Sequence, residues 1–159
     1  MKTEAAEFIE DPTRNDVPLA AVRYRKLGEP IMSDRYDLDG QVAVISGAGR
    51  GIGRAIAIAY GRFGMRIVCA ARNKEQIEET AATIKLARGV ALAQVCDVTE
   101  TDQVDALFAT AAQTFGGVDL VLVNAGTAGD RGAIETSDMD DWRRTLELNL
   151  FAAYAQSRA

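Results

Sequence analysis

No histidine occurs anywhere in the 159 residues of this chain. That absence removes a histidine-based nucleophile relay and any histidine-containing metal site from what these residues can build. Cysteine is nearly absent as well: Cys69 and Cys96 are the only two, and both fall in apolar runs that read as strands. They read as small core residues in a reducing compartment rather than a disulfide pair, and no metal site is expected. No apolar stretch approaches the ~20 residues of a membrane-spanning helix. The N-terminus is acidic and lacks the apolar core of a secretory signal, so a soluble, cytoplasmic protein without a membrane partner is expected. Basic runs are missing too, and the formal net charge is −5. Both facts argue against nucleic acid as a partner.

Proline is confined to one end, at Pro12, Pro18 and Pro30. Residues 1–35 show no sustained period apart from a short helical patch around 19–27. They are expected to form an extension, partly disordered or packed over the outside of the domain. The basic cluster Arg23-Tyr24-Arg25-Lys26 within it reads as a solvated face. The chain is 48% hydrophobic and 26% charged, which is ordinary for a globular protein. Its length allows one domain with a real core, over residues 36–159, and not two.

What the sequence does contain is a glycine-rich turn in a telling place. Ser46-Gly47-Ala48-Gly49-Arg50-Gly51-Ile52-Gly53 follows the apolar run Val42-Ala43-Val44-Ile45 and precedes a stretch with helical apolar spacing. Strand, glycine turn and helix together are the setting of a phosphate-binding turn. The common G-x-G-x-x-G spacing fails, because it would need glycine at Ile52 or Arg54; Gly47-x-x-x-Gly51-x-Gly53 fits. Glycines let backbone approach a ligand closely, and a helix start aims unpaired N–H groups and a positive dipole end at an anion.

Strands and helices alternate from there on. The pattern predicts strands at 41–45, 66–70, 90–95 and 118–124, with helices at 52–63, 74–88, up to 115, and from 139 onward. Thr99 with Asp102 reads as a capping-box variant opening the third helix. Residues 125–137 read as a glycine-rich loop. Such alternation with short connections predicts an α/β fold, a right-handed, doubly wound parallel sheet in the order 3-2-1-4. The crevice at the carboxyl ends of strands one and four would then gather the glycine turn, Asp97 and Asn124-Ala125-Gly126.

These landmarks together resemble the short-chain dehydrogenase/reductase family, of the type called classical, over about residues 39–159. The glycine turn resembles the family's T-G-x-x-x-G-x-G, with Ser46 in place of threonine. The resemblance implies a Rossmann fold binding a nicotinamide dinucleotide on Ser46, Gly47, Gly49, Arg50, Gly51, Ile52 and Gly53. Asp97, in Cys96-Asp97-Val98-Thr99, is similar to the aspartate that contacts the adenine ring, with Val98 beside it. Asn124-Ala125-Gly126 resembles the N-A-G that steadies the sheet and the cofactor site. Asn149 resembles the asparagine that joins the catalytic residues by holding a water in the proton relay. Dimers or tetramers are common in the family, so a homo-oligomer using the last helix is also implied.

An NAD-preferring site places an acid about 20 residues past the glycines, for the ribose 2′-hydroxyl. Here that region reads Cys69-Ala70-Ala71-Arg72-Asn73, with no acid before Glu75. Arg72 and Arg50 are instead suited to a 2′-phosphate, so NADP(H) is expected over NAD(H). The family moves hydride between the nicotinamide and a small carbonyl or alcohol substrate, using a serine and a Tyr-x-x-x-Lys pair beyond the asparagine helix. Neither occurs here. Tyr154 has Arg158 four residues on, but it lies five residues after Asn149 on one predicted helix, and reads as a helix-face aromatic. The expectation is therefore the cofactor-binding half of an NADP(H)-dependent oxidoreductase, a Rossmann fold truncated after the fourth strand and its following helix. Its fourth strand would present an uncovered apolar edge. A non-catalytic nucleotide-binding or interaction module is the rival reading. Nothing in these residues sets the substrate.

Overall fold

The computed structural model describes residues 38–159. The expected extension over residues 1–35, with its helical patch and basic cluster, lies outside the described residues. Strands β1 (Val42–Ser46), β2 (Arg66–Ala71), β3 (Val90–Val95) and β4 (Leu120–Leu122) alternate with helices α1 (Gly51–Arg62), α2 (Lys74–Leu86) and α3 (Thr101–Phe115). The sheet is parallel throughout and ordered β3-β2-β1-β4, as the alternation predicts. Beyond β4 come a short 3₁₀ turn (Ile134–Thr136), helix α4 (Met139–Leu146), a π-helical turn (Glu147–Phe151) and helix α5 (Ala152–Arg158).

The central strands β1 and β2 read as nearly unbroken apolar runs because both faces of the sheet are covered there. All five residues of β1 are buried. Side chains alternate across a strand. Ala43, Ile45, Ile67 and Cys69 therefore pack on one face with Ala57, Ile77 and Ile84. On the other face Val44, Val68 and Ala70 meet Cys96, Val104, Leu107 and Ala152. Each fully buried Val, Ile or Leu contributes about 1.5–3 kcal/mol relative to exposure. A one-residue slip of β1 would exchange its two core faces, so packing fixes the register Val44↔Val68 and Val44↔Val121.

Three local expectations need correction. The third helix does not open with a Thr99–Asp102 capping box: its N-cap is Glu100, with no side-chain cap bond. The Thr99 hydroxyl instead donates to Asp97 at 2.8 Å, a competing local bond that leaves none for capping. The fourth strand is three residues, not seven, and only partly buried. Among the described residues it pairs with β1 alone, and its neighbour Val123 is 37% exposed. The last helix is not continuous, because the π turn divides it at Glu147–Phe151.

Both cysteines are free and buried in the core; Cys69 lies in β2 as expected, whereas Cys96 is the first residue after β3 instead of lying in a strand. Burial pushes the Cys69 thiol up to about 12, against a small lowering by Lys85. Burial, reinforced by the neighbouring Asp97 carboxylate, raises Cys96 to about 11. An unfolded thiol ionises near 8.5. Between that value and the folded ones, only the unfolded chain releases these protons, so stability is full below about pH 8.5 and falls as pH rises toward about 11. Denaturant melts at pH 8 and pH 10 are expected to show this loss, and Cys69→Ser/Cys96→Ser to flatten it. Ellman's reagent at pH 8 should find both thiols only after unfolding.

Candidate functional site

At the carboxyl end of β1 the Ser46 side chain is buried, 1% exposed. Its hydroxyl accepts from the backbone N–H groups of Asn124 (3.0 Å) and Ala125 (3.1 Å) and donates to the Leu122 carbonyl (3.3 Å). The Asn124 carboxamide returns across the same gap, donating to the carbonyls of Ser46 (3.0 Å) and Gly47 (3.5 Å). Asp119 closes the other end of this strand pair: its carboxylate accepts from Val42 N–H at 2.8 Å and its own N–H donates to the Val42 carbonyl. The turn after β1 is thus pinned to the end of β4, 78 residues away in sequence.

That pinning explains which glycines are steric. A Cβ on Gly47 would stand 2.7 Å from Asn124 Nδ2, and one on Gly53 would stand 2.5 Å from it and overlap the Gly47 carbonyl. A Cβ on Gly49 would meet Gln76 of α2 at 2.9 Å. Gly51 differs. It has φ +57° and open space where a Cβ would point. Its glycine serves the left-handed turn and leaves clear the approach to the start of α1. Arg50, the N-cap of that helix, is extended and makes no side-chain cap bond, and the first turn carries no acid. The helix start therefore keeps N–H groups and an uncompensated positive dipole end for an anion.

Opposite this turn the chain leaves β2 and β3 side by side. Cys96 N–H donates to the Ala71 carbonyl at 3.1 Å, which places Arg72 and Asp97 next to each other. Asp97 Oδ1 accepts from the N–H (3.1 Å) and hydroxyl (2.8 Å) of Thr99, and Oδ2 faces Arg72 Nη1 at 3.7 Å. Partial burial alone would raise this carboxyl. The two Thr99 bonds and the Arg72 guanidinium outweigh it and hold Asp97 below its ordinary value.

Glycine turn, β2 end, β3 end and β4 end enclose a single open cleft of about 590 Å³. It is lined by Gly47, Gly49, Arg50, Gly51, Ile52, Arg72, Asp97, Val98, Asn124, Ala125 and Gly126. All of these are residues singled out from sequence. Ser46 and Gly53 are absent from the lining, and both are buried. Ile52 is 72% exposed beside the turn. Ala71, Asn73, Gln76, Cys96 and Leu148 complete the wall without having been anticipated. For Asn73 a signal existed: an asparagine ahead of a helical run, and its carboxamide does accept from Gln76 N–H at 2.9 Å as the cap of α2.

Asn149 stands outside the lining. Its carboxamide clamps the Thr127 backbone, donating to the carbonyl (2.8 Å) and accepting from the N–H (2.9 Å). It also explains Gly126, where a Cβ would press on Asn149 Oδ1 at 3.1 Å. Asn149 lies at the middle of the π turn, the kind of helix irregularity that recurs at functional sites. Tyr154 is on α5, 68% exposed, and is not part of the cleft.

A family model described as short chain dehydrogenase matches residues 41–159. Among curated proteins, the 3beta-hydroxysteroid dehydrogenase 1 of Eggerthella lenta is 38% identical over 127 residues, 77% of this chain and 47% of the relative. A solved metagenomic short-chain oxidoreductase in complex with NADP superposes with a TM-score of 0.73 at 35% identity, covering 78% of this chain and 56% of its own. NAD+-bound xylitol dehydrogenase gives 0.75 at 29% identity, over 78% and 48%. The chain spans about half the length of the curated relatives it matches.

The division among the glycines is testable by stability alone. Gly53→Ala is expected to cost about 3 kcal/mol, the upper end for overpacking, because its Cβ would meet the Gly47 backbone carbonyl as well as Asn124. Gly51→Ala, strained by its φ but unobstructed, is expected to cost only about 1 kcal/mol. Denaturant midpoints of the two variants read the difference, and equal losses would contradict the assignment.

Proposed function

The chain belongs to the short-chain dehydrogenase family, and from that premise we propose that its cleft binds NADP(H) in preference to NAD(H). In this reading the residues serve an oxidoreductase that moves hydride between the nicotinamide and a small carbonyl or alcohol substrate. The observation that carries the cofactor choice is charge. Arg50 and Arg72 both line the cleft beside the glycine turn, and the segment after β2 offers no carboxylate for a ribose 2′-hydroxyl. The two solved relatives described above carry one cofactor each, so the fold does not decide between them.

The residues present fit a dinucleotide. The uncapped start of α1 and the open side of Gly51 suit the pyrophosphate. Asp97 and Val98 would flank the adenine, Asn124 to Gly126 the ribose of the nicotinamide half, and the two arginines the 2′-phosphate. The bound dinucleotide supplies or accepts the hydride. Asn149 would serve the proton path through the backbone of the π turn, since its carboxamide is engaged with Thr127. The exposed Trp142, Leu146, Leu150 and Tyr154 would supply a homo-oligomeric contact.

No Tyr-x-x-x-Lys pair occurs in these 159 residues. A phenol near pKa 10 needs a cation beside it to work as a base near neutrality. Turnover in the proposed reaction would therefore need such a pair in addition to the residues of this cleft.

Fluorescence titration with NADPH and NADH tests the cofactor proposal independently of turnover. A charge-assisted contact is worth roughly 1.5–3 kcal/mol, so the preference is expected to reach about tenfold or more and to shrink in Arg72→Ala and Arg50→Ala. Equal affinities would overturn the preference, and failure to bind either cofactor would overturn the site. Oxidation of NADPH by carbonyl substrates with this chain alone would eliminate the non-catalytic reading.

A further inference from the structure

We propose that Asp97 is a positioning residue for Arg72, and that this ion pair sets how strongly the cleft selects a 2′-phosphorylated adenosine. The inference rests on the dinucleotide reading above and assigns its selectivity to a residue the resemblance connects only with the adenine ring. Arg72 is an exposed side chain, 75% accessible, at the first position after β2. Left alone it would sample many rotamers, and binding a phosphate would freeze them.

Asp97 is the opposite kind of residue. Its Oδ1 is fixed by two bonds from Thr99, and its backbone N–H donates to Gln103 Oε1 at 2.9 Å. Its side chain is 29% accessible, and the oxygen left over, Oδ2, is the one that meets Arg72 at 3.7 Å. The backbone bond from Cys96 to Ala71 keeps the two residues abreast. One guanidinium nitrogen facing Oδ2 leaves the other donors of the fork for phosphate oxygens. A rigid carboxylate therefore holds a mobile cation at the cleft wall without using it up. Arg50 has no part in this pair, so its own contribution to selectivity is separate.

Calorimetric titration of the full chain with adenosine 2′,5′-bisphosphate and with 5′-AMP gives the readout. The ratio of the two affinities cancels any contact with the adenine ring. Asp97→Asn is expected to lower that ratio about two- to fivefold, the scale of an exposed ion pair. Thr99→Val, which loosens the anchor and leaves the carboxylate, is expected to lower it less, and it serves where Asp97→Asn melts. In an Arg72→Ala background Asp97→Asn should leave the ratio unchanged. An unchanged ratio with both ligands weakened equally would confine Asp97 to the adenine and overturn the proposal. A raised ratio would make Asp97 a competitor for Arg72 and overturn it too. A wild-type ratio near one would overturn the NADP(H) reading along with it, whereas a high ratio indifferent to Asp97 overturns the positioning role alone.

Discussion

A single buried hydroxyl holds the architecture of this cleft together. Ser46 sits where β1 stops, with the chain about to turn back toward β2 on one side while β4 lies on the other. Two backbone N–H groups of the β4 end point at it, and one carbonyl receives its proton. A side chain in this place must be small and must both donate and accept. Alanine would leave Asn124 and Ala125 N–H groups without that partner, and a buried unsatisfied donor costs about 1–3 kcal/mol. The crevice exists because the strand order reverses here, and the hydroxyl keeps the two diverging segments at a fixed separation.

The glycines follow from that bond network as much as from any ligand. With the Asn124 carboxamide reaching over to the Ser46 and Gly47 carbonyls, a Cβ at position 47 would meet that carboxamide, and one at 53 would meet both it and the Gly47 carbonyl. Gly47 (φ +67°) and Gly51 (φ +57°) are both left-handed, but only Gly51 of the two has open space where a Cβ would point. The same economy recurs one layer out, where the Asn149 carboxamide presses on Gly126. Two asparagine side chains, each bonded to backbone, thus account for glycines at opposite ends of the cleft.

Much of this was legible in the sequence, and the limits have physical causes. The sheet order follows from the alternation of strands and helices, and with it the meeting of the glycine turn, Asp97 and Asn124 to Gly126 at the carboxyl ends of the strands. The pairing of Arg72 with Asp97 was not legible: it joins residues 25 apart through the adjacency of two strand ends. The clamp of Asn149 on Thr127 spans 22 residues, and a mid-helix asparagine carries no local mark of it. At the start of α3 a local rule failed, because Thr99 had a nearer acceptor in Asp97 than in the helix it precedes. The fourth strand was overestimated because an apolar run signals burial more reliably than it signals pairing. Residues 118–124 are apolar for most of their length, yet only Leu120–Leu122 pair with β1.

The π turn at Glu147–Phe151 also acts on everything downstream of it. A residue added to one turn of an α-helix advances the following residues by about 100° around the axis. Downstream of the turn Ala152 and Gln156 of α5 are buried, whereas no residue of α4 is. Removing one residue from the turn would rotate α5 by about that angle, and the cost would fall on Ala152, which packs with Val104 and Leu107 of α3.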